Sequence, residues 1–177
     1  AAGWRMEIEA YPKLTSFAAW RPQQKWKDWW YGDRLYVEEG TEGAYGGYYT
    51  KDQMRELVEY ARQRHIEVIP EIEMPGHSEE VLAAYPELSC KGTAYSQGEF
   101  CVGNEETFRF LETVLEEVME VFPSEMIHIG GDEANKAHWK ECPKCQQRMQ
   151  AEGLADVDEL QSYLIKRIAR FVESKGR

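Results

Sequence analysis

The sequence Gly-Gly-Asp-Glu at 130–133 places two carboxylates side by side, directly after two glycines. Adjacent residues of a regular strand point to opposite faces, so Asp132 and Glu133 can line one pocket only if the backbone bends between them. Glycines permit such a bend. The pair suits general acid–base chemistry if burial and the neighbouring carboxylate raise the pKa of the acid. The alternative is an acidic turn in which Asp132 caps a helix.

A second group of polar residues follows an apolar run earlier in the chain. Glu71 and Glu73 lie near the end of "IEVIPEIEM" (66–74), and His77 closes the sequence Met-Pro-Gly-His. The carboxyl ends of parallel strands meet at one edge of a sheet, where the sites of α/β folds lie. We therefore expect both groups to border one site.

Side-chain alternation indicates which residues face this site. Residues two apart on a strand share a face, which joins Glu71 with Glu73. On the second predicted strand, 126–130, His128 shares a face with the position of Asp132. We expect these four side chains to point into a common interior. His128 is available there to pair with a carboxylate, because a buried unpaired charge is costly.

Helical patterns alternate with these two short strands. Thr50 and Gln53 form a capping-box pair before an apolar stripe, Asn104 precedes the longest stripe, and Asp156 precedes the last one. By contrast, residues 1–48 are rich in Trp, Tyr, Gly and Pro and lack helical periodicity. They are predicted to form a long loop, and such loops are often functional.

The alternation of strands and helices predicts parallel βαβ units and an α/β fold. Two clear strands cannot close a barrel, and a complete (β/α)8 barrel usually needs about 250 residues, whereas the chain has 177. We expect either a small open α/β domain or a segment of a (β/α)8 TIM barrel. No Walker A or Gly-x-Gly-x-x-Gly sequence follows either strand, which argues against nucleotide binding.

The composition excludes several classes of partner. The net charge is −11, and no basic face is visible, which argues against nucleic acid binding. No apolar run approaches the roughly 20 residues that a membrane span needs, and no signal-peptide pattern opens the chain. Aromatic residues make up 12% of the chain. They either pack in the core and on the surface or stack on sugar rings.

The cysteines Cys90, Cys101, Cys142 and Cys145 leave several states open. Cys142 and Cys145 have the spacing of a redox or zinc motif, and His138 would share a helix face with them. Structural zinc needs four ligands, however, and no second Cys-x-x-Cys sequence exists. A structural or incidental role is therefore favoured, and no metal or cofactor is predicted. Both pairs can be disulfides or free thiols.

These motifs together resemble glycoside hydrolase family 20, the β-N-acetylhexosaminidases. "HIGGDE" (128–133) resembles the catalytic signature of the family, and "MPGH" (74–77) precedes it with one helix between them. "GWRMEIEAYPKLT" (3–15) resembles the stretch after the second barrel strand. "GGYYTKDQMRELVEYARQRHIEVIPEIEMPGHS" (46–78) resembles the region of the third strand. The similarity covers nearly the whole chain.

The resemblance implies a retaining mechanism without a protein nucleophile, in which the 2-acetamido carbonyl of the substrate attacks the anomeric carbon. Glu133 matches the general acid, which later activates water, and Asp132 matches the residue that orients the acetamido group. His77 matches a supporting histidine, His128 belongs to the signature, and Glu71 is expected to support the site. The implied substrate is a glycan with terminal β-linked N-acetylglucosamine or N-acetylgalactosamine. The alternative is a non-catalytic carbohydrate-binding or scaffold module derived from the same fold.

The resemblance also implies an incomplete barrel. The chain matches about the third to fifth βα units, with 1–48 as a loop region after the second strand and 49–177 as the βα units. Other strands of the family supply the rest of the sugar pocket, so we expect residues 1–177 alone to have little or no activity. Exposed sheet edges favour association, which predicts homo-oligomers. Family relatives are mostly secreted, periplasmic, surface-bound or lysosomal, which implies an extracytoplasmic location.

Overall fold

The computed structural model describes residues 3–177. The α-helices of this range are α1 (Lys13–Ser16), α2 (Trp26–Trp30), α3 (Lys51–Arg62), α4 (Glu79–Ala84), α5 (Glu105–Val121), α6 (Ala137–Glu141), α7 (Pro143–Glu152) and α8 (Val157–Ser174). Two short strands, β1 (Trp20–Arg21) and β2 (Tyr45–Gly46), pair antiparallel, and Pro86–Leu88 forms a 3₁₀ helix. In the described part of the chain, no helix has the length and apolarity to cross a lipid bilayer.

Residues 3–48, the described part of the predicted loop region 1–48, are mostly irregular but also contain short helices and strands. Helices α1 and α2 and both strands lie in this region. Trp29 is 2% exposed and packs edge-on against Tyr36, while the Arg5 guanidinium donates to the carbonyl of Gly47 (2.9 Å). Long-range contacts of this kind order the segment, and local sequence patterns do not reveal them.

The two predicted strands lie side by side and parallel, but they pair at one position only. Glu71 and His128 form an isolated bridge. The N–H of His128 donates to the carbonyl of Pro70 (2.9 Å), and the N–H of Ile72 donates to the carbonyl of His128 (3.0 Å). The prediction of continuous strands is therefore wrong. One physical reason is that Pro70 has no N–H to extend the ladder.

The faces of these extended segments follow the predicted alternation. Val68 and Ile72 of the first segment, and Ile127 and Ile129 of the second, pack against the hydrophobic core. Ile69, on the opposite face, is 45% exposed. The first segment is therefore buried on one face only, because the helices of the described range do not cover the other face. The uncovered face carries the acidic residues.

Helix α5 forms the centre of the core. Phe108, Leu111, Leu115 and Val118 of its predicted apolar stripe are each at most 1% exposed. The stripe is covered because α5 packs against both α3 and α8. Asn104 caps the helix as predicted, with its side chain accepting a backbone N–H of the first turn.

The helix starts predicted at Thr50 and Asp156 are also confirmed. Thr50 and Gln53 form a reciprocal capping box at the start of α3, and the Asp156 side chain accepts two backbone N–H groups at the start of α8. Leu160 and Leu164 of α8 are fully buried. Helices α3, α5 and α8 thus form the layer on which the two extended segments rest.

Lys51 joins the start of α3 to α5 through ion pairs. Its ammonium lies 2.8 Å from Glu117 and 3.1 Å from Glu9, and the lysine is 7% exposed. The buried Glu117 carboxylate also accepts the N–H groups of Glu9 (2.7 Å) and Ala10 (2.9 Å). This network holds Glu9 and Ala10, which lie before α1, against α5.

Replacing Lys51 with methionine is expected to lower the free energy of unfolding by about 2–4 kcal/mol, because the buried Glu117 carboxylate loses its cation. Arg55→Met is a matched control, since Arg55 pairs with Asp52 (2.7 Å) on the exposed side of the same helix and exposed pairs contribute about 0–1 kcal/mol. Urea denaturation measures both variants. Equal losses would contradict the assigned role of Lys51.

Candidate active site

The two strand ends touch at Gly76 and the 130–133 turn. A Cβ on Gly76 would lie 3.0 Å from the carbonyl oxygen of Asp132, so a larger residue would push the turns apart. Beside this contact, Nε2 of His77 lies 3.5 Å from Oε2 of Glu133. The structure therefore brings together the ends of both predicted strands.

Glu73 fixes the backbone of the turn. Its Oε1 accepts the N–H groups of Gly131 (2.9 Å) and Asp132 (3.1 Å). The side-chain amide of Gln161, on α8, donates to the carbonyl of Gly131 (2.9 Å). The sequence places Glu73 on the face of the site but assigns it no role. That role depends on turn geometry, which the side-chain alternation does not specify.

The turn requires glycine at 130 and bends at the carboxylate pair. Gly130 and Gly131 have φ angles of +68° and +120°, and Glu133 has a φ of +44°. A Cβ on Gly130 would lie 2.3 Å from the Glu73 carboxylate. The left-handed conformation of Glu133 is costly for a residue with a Cβ. The backbone bend between the two carboxylates, which the sequence requires for a shared site, is present.

Asp132 does not cap a helix, so that alternative is wrong. Helix α6 begins at Ala137, and its N-cap residue is Lys136. The side chain of Asn135 accepts the N–H of Ala137 instead (3.1 Å). Asp132 is exposed, and the Glu133 side chain is 83% exposed. The described residues therefore position the pair without supplying the desolvation that a general acid needs near neutral pH.

His128 lies beside Glu71, as the predicted pairing of a histidine with a carboxylate requires. Its Nδ1 is 3.1 Å from Oε1 of Glu71 and 3.2 Å from the amide nitrogen of Gly130. A protonated Nδ1 can pair with Glu71, and an unprotonated one can accept from Gly130. Both side chains are more than half exposed. The shared face is therefore open to solvent and is not a closed interior.

A cavity of about 680 Å³ borders this face. Glu71, Glu73 and His77 line it together with apolar side chains of the core, whereas Asp132 and Glu133 do not. The carboxylate pair thus lies on the open surface next to the cavity.

Glu80, on α4, is a buried acid in the wall of the same cavity. It is 6% exposed, and among the described residues its Oε2 has no hydrogen-bond partner. Burial raises the pKa of Glu80 from 4.5 to about 7. No sequence pattern points to this residue, because its burial depends on long-range packing.

The loop before α5 connects the two strand ends. The N–H of Phe100 donates to the carbonyl of Pro75 (2.9 Å), and the indole of Trp139 donates to the carbonyl of Phe100 (2.9 Å). Next to this contact, Nδ1 of His138 lies 2.6 Å from Oε1 of Glu99. His138 therefore pairs with a carboxylate and does not join the cysteines, contrary to the shared helix face that the spacing suggests.

The cysteines Cys90, Cys101, Cys142 and Cys145 form one cluster of free thiols. Their sulfur atoms lie within 4.8 Å of one another. The expectation that the Cys-x-x-Cys pair lacks further ligands is therefore wrong. Two cysteines from a separate loop complete a set of four, and the sequence shows no spacing that would join them.

Comparison with known proteins gives a consistent match. Residues 1–177 match the model of glycosyl hydrolase family 20, catalytic domain. The chain is 42% identical to a β-hexosaminidase of Porphyromonas gingivalis, over 98% of this chain and 21% of that protein. It resembles the solved β-N-acetylhexosaminidase of Bacteroides fragilis (TM-score 0.79, 39% identity, 99% of this chain and 32% of that one). It also resembles an exo-β-N-acetylglucosaminidase of Vibrio harveyi, solved with N-acetylglucosamine (TM-score 0.83, 30% identity, 99% and 28%). The chain thus spans a third or less of the length of each of these relatives.

The raised pKa of Glu80 gives a stability difference with a defined sign. The folded state binds the Glu80 proton more tightly than the unfolded state does. The stabilisation that results is fully present below pH 4.5 and is lost as the pH rises through about 7. At pH 8 we expect Glu80→Gln to be more stable than the unaltered protein by about 1–3 kcal/mol, and at pH 4 nearly equal to it. Thermal unfolding at both pH values measures this, with Glu56→Gln, an exposed position on α3, as the control. A gain that does not depend on pH would contradict the assignment.

Gly130→Ala tests the contact between the turn and Glu73. Gly92 has nearly the same φ (+67° against +68°), but a Cβ on Gly92 would meet nothing within 4 Å. Gly92→Ala therefore carries only the backbone cost, about 1 kcal/mol or somewhat more. We expect Gly130→Ala to lose about 1–3 kcal/mol beyond that, because the new methyl group displaces the carboxylate. Equal losses in chemical denaturation would show that the contact is not tight.

Proposed function

This chain belongs to glycosyl hydrolase family 20, and we propose that it forms about the third to fifth βα units of the family's catalytic TIM barrel. The match to solved relatives along 99% of the chain supports this placement. The parallel bridge between Glu71 and His128 is also consistent with neighbouring barrel strands. On this assignment, residues 1–48 follow the second strand and 49–177 hold the βα units.

We propose that the protein containing this chain is a β-N-acetylhexosaminidase that removes terminal β-linked N-acetylglucosamine or N-acetylgalactosamine from glycans. The relatives of the chain are glycoside hydrolases named β-hexosaminidases. A Vibrio harveyi relative was solved with N-acetylglucosamine, and a Streptomyces plicatus relative with N-acetylglucosamine as its product. These names support an amino-sugar substrate.

The observation that carries the mechanism is the bend between Asp132 and Glu133, which adjoins His77. In the proposed first step, the acetamido carbonyl oxygen of the sugar bonds to C1 while the glycosidic C–O bond breaks. Glu133 gives its proton to the leaving oxygen, and an oxazolinium intermediate forms. Asp132 accepts the acetamido N–H and offsets the positive charge that develops there.

In the proposed second step, the ionised Glu133 takes a proton from water, and the water oxygen attacks C1 and opens the oxazolinium ring. Two inversions at C1 give net retention. His77, 3.5 Å from Glu133, supports the position of the acid, while Glu71 and His128 support the neighbouring strand ends. The substrate supplies its own nucleophile, so proximity replaces a covalent protein intermediate.

The exposure of Glu133 favours a second proposal about the chain on its own. Its side chain is 83% exposed, and other parts of the family barrel are needed to enclose a sugar. We therefore propose that residues 1–177 alone have little or no activity. The alternative function is a non-catalytic carbohydrate-binding or scaffold module. In that case the full-length protein would be inactive as well.

Kinetics of the full-length protein on matched aryl glycosides tests these proposals. We expect hydrolysis of the 2-acetamido substrate and not of the 2-hydroxy analogue, which lacks the nucleophile. Glu133→Gln should lower kcat/KM by about 10²–10⁴-fold, with a larger loss for a disaccharide than for a nitrophenyl glycoside, because the poorer leaving group needs the proton more. Glu141→Gln, an exposed glutamate on α6, is the control.

Four outcomes would contradict parts of this proposal. An unchanged rate in Glu133→Gln would remove the acid assignment. Equal hydrolysis of both aryl glycosides would remove substrate assistance. Turnover by residues 1–177 alone would contradict the proposed inactivity. Absence of hydrolysis by the full-length protein, with retained sugar binding, would favour the non-catalytic alternative.

We also propose that the chain on its own associates into homo-oligomers. Ile69 and Met126, on the uncovered face of the extended segments, are 45% and 58% exposed. Apolar side chains and unpaired strand edges of this kind favour association. A monodisperse monomer in light scattering would contradict the proposal.

An extracytoplasmic location is a further proposal, and it rests on the family resemblance. Cell fractionation of the source organism tests it. Recovery of the protein only in the cytoplasm would contradict it.

A further inference from the structure

The thiol cluster has a defined geometry. The sulfur of Cys101 lies 3.7 Å from that of Cys142 and 3.7 Å from that of Cys145, and the sulfurs of Cys90 and Cys145 are 3.8 Å apart. Cys101, Cys142 and Cys145 are buried, and Cys90 is partly buried. The set is therefore compact and largely withdrawn from solvent.

These separations match metal ligation. Four thiolates held tetrahedrally around Zn²⁺ at about 2.3 Å have sulfur–sulfur separations of about 3.8 Å. A disulfide brings two sulfurs to about 2.05 Å, and it pairs each sulfur with one partner. Cys101 instead lies equally far from two partners, as a vertex of a tetrahedron does.

The backbone at Gly103 packs directly against the backbone of the Cys142–Cys145 turn. A Cβ on Gly103 would lie 2.1 Å from the carbonyl carbon of Lys144 and 2.3 Å from the nitrogen of Cys145. The turn after Cys101 thus lies directly on the Cys142–Cys145 turn.

Helix α7 begins at the thiol cluster. Cys142 is its N-cap residue, Pro143 its first residue, and Cys145 lies in its first turn. The positive end of the helix dipole favours thiolates at this position.

We propose that Cys90, Cys101, Cys142 and Cys145 bind one Zn²⁺ in a structural, four-thiolate site. Four protein ligands leave no open position for substrate or water, which distinguishes this site from a catalytic zinc centre. Binding releases the thiol protons, so affinity falls as the pH is lowered. The inference does not rest on the proposed hydrolase activity.

The metal would clamp two segments that support the candidate active site. The loop carrying Cys101 continues from Phe100, whose N–H donates to Pro75 beside His77. The helix preceding Cys142 carries Trp139, whose indole donates to Phe100. The site thus lies directly behind the contact that joins the two strand ends.

Metal analysis of the full-length protein, purified without chelators from zinc-containing medium, tests the proposal. We expect about one Zn²⁺ per chain, released when a mercurial modifies the thiols. Replacement by Co²⁺ should give the visible d–d bands and the sulfur-to-cobalt charge-transfer bands of a tetrahedral thiolate site. These measurements need no variant and remain informative if cysteine variants fail to fold.

Cys142→Ser and Cys101→Ser are expected to lose most of the bound Zn²⁺ and the tetrahedral Co²⁺ spectrum. Lys144→Ala, an exposed position inside the same turn, should retain both. Three results would overturn the proposal. These are four titratable thiols without metal after zinc is supplied, a mass showing two disulfides, and unchanged Zn²⁺ content in both cysteine variants.

Discussion

The Glu73 carboxylate accepts two backbone N–H groups, and the geometry of the candidate site depends on this contact. It fixes the turn that carries Asp132 and Glu133, and it explains why Gly130 has no room for a side chain. Glu73 belongs to the first extended segment (66–74), and the turn follows the second (126–130). A single carboxylate therefore joins the two segments. Helix α5 and its neighbours supply the packed base, but this polar contact sets the orientation of the catalytic candidates.

Local sequence patterns predicted the features that depend on local physics. The caps at Thr50, Asn104 and Asp156 follow from the need to satisfy the first N–H groups of a helix, and the apolar stripes follow from the helical period. Side-chain alternation also placed Glu71 and His128 on one face, and the structure has them 3.1 Å apart. The family was evident from motifs, since adjacent Asp and Glu after two glycines follow a Met-Pro-Gly-His strand end.

Features that depend on distant partners were not predictable in the same way. Cys101 meets cysteines 41 and 44 positions later in the chain, and no periodicity links them. Glu99 and His138 pair across 39 positions. The short elements of the N-terminal region are not predictable from a repeating pattern, because their order comes from packing between aromatic residues and from Arg5. The two extended segments pair at one bridge only. The length of a strand depends on hydrogen bonds to neighbouring strands, and the sequence of one segment does not specify those neighbours.

The left-handed backbone at His77 (φ +50°) and Glu133 (φ +44°) has a consequence for evolution and engineering. Both candidate site residues have a conformation that glycine or asparagine adopts more readily. If the two residues act as proposed, their strained backbone is a stability cost that accompanies activity. Glu133→Asn is expected to relax the turn and to remove the proposed acid, because asparagine adopts the left-handed conformation more readily than glutamate does.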